Sequence, residues 1–173
     1  MPLLHEHALP TDEDVDAFRS GNPEVDNFFH ARKWINKNGE VSPATYKLRA
    51  AENNELVGYA SAAFRNVAHP DNSSTKKAKY LVIYAAGVCS HLQGVKPEGS
   101  DETFATLSFR FLEGLALGDS KCVGLSLLVR EDNARARRFY VRFGFEADPG
   151  GPVKMDSGVP LLPMRKQLPP VTL

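Results

Sequence analysis

Val129–Asp148, VREDNARARRFYVRFGFEAD, decides how this chain folds, because it holds the end of one strand, a short helix and the start of another strand, with polar residues at the junctions. Val129 closes the apolar run CVGLSLLV, whose length and Val/Leu content fit a buried strand. Asp132 or Asn133 supplies an N-cap oxygen, Ala134, Ala136 and the neighbouring arginines favour a helix, and Gly144 ends it. Phe139, Val141 and Phe143 surround Tyr140, which predicts a ring held in apolar material with its hydroxyl directed at something polar. On the residues alone, Phe139-Tyr140 followed by Gly144-Phe145 is first of all a packed helix end and its C-cap.

Outward from this stretch the punctuation continues. Leu3–Ala8 predicts an edge strand, Glu13–Arg19 a short helix, and Pro23 opens a second helix whose Val25, Phe28, Phe29, Ala31, Trp34 and Ile35 recur at helical spacing. Tyr46–Ala51 and Leu56–Val67 form a hairpin across Glu52–Glu55, where Asn53-Asn54 suits a positive φ. HPDNSSTKKAK, His69–Lys79, is a charged surface loop. Tyr80–Ser90 has the apolar continuity of a strand buried on both faces. Asp101–Leu117 predicts a helix with Phe104, Leu107, Phe111, Leu112 and Leu115 inward, capped by Ser100 and ended by Gly118. A last strand at about Val159–Leu168, interrupted by Pro160 and Pro163, belongs at a sheet edge, and 169–173 is a frayed tail.

Composition narrows the class. A chain of 173 residues, 42% hydrophobic and 24% charged, is expected to be one soluble globular domain over 1–173. Lys and Arg number 21, as do Asp and Glu, so no global field directs it to nucleic acid or an anionic membrane. Local basic groups remain at Arg130, Arg135, Arg137, Arg138 and Arg142, and at Lys76, Lys77 and Lys79. Cys89 and Cys122 make neither a disulfide framework nor a zinc site, and the five histidines show no metal-binding motif, so no metal is expected. The absence of a membrane-length apolar segment or signal peptide, with so few cysteines, suggests a reducing, cytoplasmic setting.

The order Asn133, Ala136, Phe139-Tyr140, Gly144-Phe145 directly after a strand resembles the N-x-x-A-x-x-F-Y-x-x-x-G-F signature of GNAT N-acyltransferases. Phe18, Ser20, Gly21, Asp26, Phe28 and Phe29 resemble the opening of the branch that includes bacterial toxin acetyltransferases. The resemblance implies an α/β (α+β) fold with a mixed, mostly antiparallel central sheet and about four helices. It implies acetyl-CoA as co-substrate, with an amine attacking the thioester directly. Tyr140 is then the acid that protonates the departing thiolate, since a phenol, with an ordinary pKa above a thiol's, still carries its proton at neutral pH. Asn133 and Arg137 would face the cofactor, as would Gly87, Val88 and Cys89 on the preceding strand. Cys89 is not expected to be a nucleophile, since nothing adjacent in sequence identifies a base. His91, close to the loop, is the candidate for the base that frees the acceptor amine.

One motif departs from the family. Where GNAT proteins carry (R/Q)-x-x-G-x-(G/A), this chain has Gln93-Gly94-Val95-Lys96-Pro97-Glu98-Gly99-Ser100-Asp101, with Lys96 and Glu98 at the small-residue positions. An enlarged loop would restore phosphate binding through Gln93, Gly94, Lys96, Gly99 and Ser100. Pro97 removes one N–H, and Glu98 and Asp101 repel phosphate unless turned away. The expected acceptor is the amino acid on a charged tRNA, with a small antitoxin as partner, or a small-molecule or protein amine, and a homodimer is compatible with the pattern. The rivals are a catalytically degenerate binding or assembly module and an RNA-binding protein without acyl transfer.

Overall fold

Caps and turns set the element boundaries. The computed structural model describes residues 2–68, 77–155 and 158–170. Its order is β1 (Leu3–His7), α1 (Pro23–His30), β2 (Ala44–Ala50), β3 (Leu56–Ala68), β4 (Lys77–Val88), α2 (Phe104–Leu117), β5 (Cys122–Arg130), α3 (Ala134–Phe143), β6 (Glu146–Ala147) and β7 (Leu161–Gln167). Short 3-10 turns lie at Asp14–Ala17 and Ser90–Leu92. The strands form a seven-stranded sheet in the order β1-β2-β3-β4-β5-β7-β6. β4 and β5 pair in parallel, while β1–β2, β2–β3, β5–β7 and β6–β7 are antiparallel. The mixed sheet is as expected, with three α-helices among the described residues rather than about four.

Several boundaries differ from the sequence expectation, each for a local reason. α1 stops at His30, and Trp34 reaches the core from a turn: Arg32 adopts φ 52°, and the fully buried Trp34 indole N–H donates to the Phe29 carbonyl at 3.1 Å. α2 begins at Phe104, not Asp101, because Thr103 caps it, its Oγ1 accepting the Thr106 N–H at 3.3 Å. Ser100 instead closes a turn, its Oγ accepting the Glu102 N–H at 3.1 Å. β7 is not the edge strand. It lies between β5 and β6, and Pro163 falls just past β6, whose pairs are Glu146↔Arg165 and Ala147↔Met164. Lys77 and Lys79 belong to β4, while 69–76 of the expected loop, which includes Lys76, and 171–173 of the expected tail lie outside the described residues.

The chain clusters into two compact units, one of 1–63 and 84–112, the other of 64–83 and 113–173. Phe18 anchors the first, edge-on to Phe29 at 5.7 Å and to Tyr59 at 5.2 Å. Ser20 and Asp26 hold the start of α1: the Ser20 N–H and Oγ donate to Asp26 Oδ1 at 2.8 and 2.7 Å. The toxin-like opening therefore has a structural reason for its Phe, Ser and Asp. Gly58 and Gly87 bring β3 and β4 together in this unit, since a Cβ on Gly58 would lie 1.9 Å from the Gly87 carbonyl oxygen. In the second unit Tyr80, Leu125, Phe145 and Met164 are almost fully buried.

Candidate active site

β5 delivers the chain to α3, and the residues between them fix the helix start. Asn133, not Asp132, is the N-cap, its side chain accepting the Ala136 N–H at 3.1 Å. Asp132 pairs instead with Arg130, Oδ2 to Nη2 2.9 Å, which holds its carboxyl below the usual range. Arg137 donates from Nη1 to the Glu131 carbonyl at 2.9 Å, bracing the same turn. Arg135, Arg138 and Arg142 are exposed on α3.

The end of α3 is a Schellman turn. Phe145 N–H donates to the Tyr140 carbonyl at 2.9 Å and Gly144 N–H to the Val141 carbonyl at 3.1 Å, with Gly144 at φ 113°. This motif commonly carries an apolar contact between the residue after the glycine and the helix residue whose carbonyl it caps. Here that contact is Phe145 against Tyr140, ring centroids 5.6 Å apart. Phe139 meets Tyr140 edge-on at 5.7 Å. Cap and candidate acid are thus one construction: Gly144-Phe145 sets where the Tyr140 ring lies. Burial pushes the Tyr140 phenol up to about 12, so it is protonated at neutral pH.

In the first unit, Gly87, Val88 and Cys89 close β4. A Cβ on Gly87 would meet Val25 Cγ1 at 2.8 Å and Ser20 Cβ at 3.0 Å, so the α1 region packs directly on it. Cys89 is buried, its thiol pushed up to about 11 by burial, and its Sγ lies 3.5 Å from the Leu56 carbonyl. Those surroundings suit a core thiol and not a nucleophile. Cys89 N–H donates to the Val57 carbonyl at 2.7 Å, toward β3. Successive strand N–H groups alternate between edges, so Val88 directs its N–H the other way. The β4–β5 ladder ends at Ile83↔Leu127, while β4 runs on to Val88.

The loop after β4 is tied at its first residue. Gln93 Nε2 donates to the Ser20 carbonyl and lies 3.4 Å from the Val88 carbonyl. Gly94 and Gly99 take φ 74° and 78°. Among the described residues, no backbone carbonyl accepts the N–H of Gly94, Lys96 or Gly99. Pro97 is buried and directed inward, whereas Lys96 and Glu98 are exposed. Ser100 N–H donates to the Pro97 carbonyl at 3.1 Å. His91 is exposed and lies 2.6 Å from Glu55, whose carboxyl it holds below the usual range through that hydrogen bond.

Gly87, Val88, Cys89, Gln93, Gly94, Lys96, Gly99 and Ser100 are thus consecutive parts of one unit, and Asn133, Arg137 and Tyr140 parts of the other. Sequence reading missed the Ser20–Gln93 link, which joins residues 73 positions apart. It also missed Lys166 and Glu113, an ion pair at the end of α3. No spacing signal marks either. Among the described residues, no group of three or more His, Cys, Asp or Glu is placed to hold a metal ion, and no helix is long and apolar enough to cross a membrane.

No protein-family model matches the chain, and no curated protein sequence matches it. Solved structures do. The chain is similar to Naa20 of Chaetomium thermophilum in complex with a bisubstrate analogue, with TM-score 0.65 and 18% identity over 95% of this chain and 86% of that one. It is similar to a bacterial toxin, TM-score 0.60 and 18% identity over 96% and 92% of the two chains. A mutant of the toxin AtaT, bound to the C-terminus of the antitoxin AtaR and acetyl-CoA, matches with TM-score 0.55 and 16% identity over 95% and 92%. The fold is that of the GNAT acetyltransferases, and toxins are among its structural neighbours.

Proposed function

We propose that this chain is an acyl-CoA-dependent N-acyltransferase that moves an acetyl group to a primary amine. A neutral amine attacks the thioester carbonyl, a C–N bond forms, the C–S bond breaks, and the Tyr140 phenol gives its proton to the departing thiolate. Solvent returns a proton to Tyr140, and water takes the proton lost by the amine. The observation that carries this proposal is the Schellman turn at Gly144-Phe145, which fixes a phenol held up at about 12 in a GNAT fold. A phenol with that pKa keeps its proton at neutral pH, so it is available to the departing thiolate; the thiolate is the weaker base, and the return of a proton from solvent to Tyr140 completes the transfer.

The cofactor's needs agree with the residues present. In the first unit Val88 N–H, aimed away from β3, suits a pantetheine amide; in the second, Asn133 and Arg137 at the start of α3 offer polar groups of the kind that a cofactor arm requires. The uncommitted N–H groups of Gly94, Lys96 and Gly99, with the exposed Lys96 ammonium and the Ser100 hydroxyl, suit the pyrophosphate. Gln93 is engaged with Ser20 and Val88, so its part is to hold the loop's entry. For the acceptor we favour the amino group of an aminoacyl-tRNA or of a peptide, with an antitoxin-like protein as partner in the first case, on the strength of toxin and Naa20 neighbours.

The buried Pro97 and the committed Gln93 favour a second reading, a GNAT-fold binding module without turnover. CoA thiol release from acetyl-CoA, measured with peptide amines and with charged tRNA, separates the two. Release with one acceptor class, abolished by Tyr140→Phe, supports the enzyme. Acetyl-CoA binding without release for either class supports the module.

A further inference from the structure

We infer that Lys166 and Glu113 are a positioning pair for Tyr140, a role that rests on the proposed function of Tyr140 as the acid. Lys166 on β7 lies along the end of α3. Its Nζ sits 4.2 Å from the centroid of the Phe143 ring, and a Cβ on Gly144 would meet its Cε at 3.2 Å. Its ammonium pairs with Glu113 of α2, and both side chains are about four-fifths buried, at 18% exposure each.

Three effects converge at this one point. The last carbonyls of α3 carry partial negative charge that a cation stabilises. The Phe143 ring face attracts the same ammonium. Glu113 prevents it from swinging to solvent, because a mostly buried charge keeps its partner. Phe143 in turn lies 6.2 Å from both Phe139 and Phe145, and each of those rings meets Tyr140. Lys166 thus fastens the Schellman turn from outside, while Gly144, lacking a side chain, leaves room for its stem. A looser turn lets water reach the Tyr140 ring and lets the phenol wander from one position, which costs a proton transfer its geometry.

The test reads the phenol itself and needs no acceptor. The full chain, labelled with 13C at tyrosine Cζ, is titrated between about pH 8 and pH 11, and the Tyr140 resonance is identified by its loss in Tyr140→Phe. In the wild type Tyr140 stays protonated across that range. In Lys166→Met it titrates with a midpoint falling toward the ordinary value near 10, Glu113→Gln shifts it part of the way, and Lys166→Arg restores it. Lys79→Met serves as the control. It removes another ion pair of the same unit, Lys79–Asp119 at 2.5 Å, whose ammonium lies 5.1 Å from the Phe64 ring, and it leaves Tyr140 unchanged. With a productive acceptor, Lys166→Met lowers kcat and leaves the KM for acetyl-CoA unaltered. An unshifted Tyr140 in both Lys166→Met and Glu113→Gln, or an equal shift in Lys79→Met, overturns the inference. If Lys166→Met does not fold, Glu113→Gln against Lys79→Met decides. Failure of the proposed function is separate: it appears as no acetyl-CoA binding by the wild type, whatever the titration gives.

Discussion

The end of α3 and the loop after β4 both carry glycines at positive φ, yet they are held in different ways. Around Gly144 every neighbour is engaged: two carbonyls are capped, Phe145 packs on Tyr140, and the Lys166 stem fills the space a Cβ would take. Around Gly94 and Gly99 nothing lies within 4 Å of where a Cβ would be, and the N–H groups of Gly94, Lys96 and Gly99 have no backbone carbonyl partner among the described residues. The first region is finished by the protein alone. The second has donors available to a ligand, which is how a phosphate cradle differs from a cap.

Tyr140→Phe breaks this comparison on its finished side. Acetyl transfer is expected to fall by about 10²–10⁴-fold, the usual range for a lost general acid, with acetyl-CoA affinity unchanged. Because burial raises the phenol to about 12, the wild-type pH–rate profile has no alkaline limb from Tyr140 below about pH 10. A limb that vanishes in Tyr140→Phe contradicts the assigned protonation state.

Gly144→Ala and Gly94→Ala sharpen the contrast in stability. Each forces alanine into left-handed backbone at a cost of about 1–2 kcal/mol, but only Gly144→Ala also displaces Lys166. Chemical denaturation should therefore show the larger loss for Gly144→Ala, and equal losses refute the packing difference. Asn133→Ala removes the α3 cap and should cost about 1 kcal/mol. Smallest of all, Lys96→Ala should weaken acetyl-CoA binding about 2–5-fold, as expected for an exposed charge worth under 1 kcal/mol, and should flatten the salt dependence of binding. Unchanged affinity and salt dependence would remove Lys96 from the site.

How legible each region was in the sequence follows the same division. The α3 region was readable because its determinants are local: an N-cap, a helical run, a glycine and the aromatic after it lie within about a dozen residues, and each has its own backbone rule. That Cys89 is no nucleophile was readable from the lack of a base beside it in sequence, but the sequence reading set it facing the cofactor and did not foresee its burial. The loop was not, because whether Glu98 faces phosphate or solvent depends on Pro97 turning inward, which no local rule states. Ser100 is a good cap by type, but the helix starts later, with Thr103 as its cap and Phe104 buried at its first position. Trp34 fitted helical spacing, yet its indole N–H finds the Phe29 carbonyl only if the helix has ended. Lys166 and Glu113, 53 positions apart, meet only in the folded chain.

Calorimetry of the full chain with acetyl-CoA tests the central claim most directly. The account predicts one-to-one binding and a rise in thermal stability with ligand concentration, since a ligand that binds only the folded state stabilises it by mass action. No heat and no thermal shift at millimolar acetyl-CoA would contradict it.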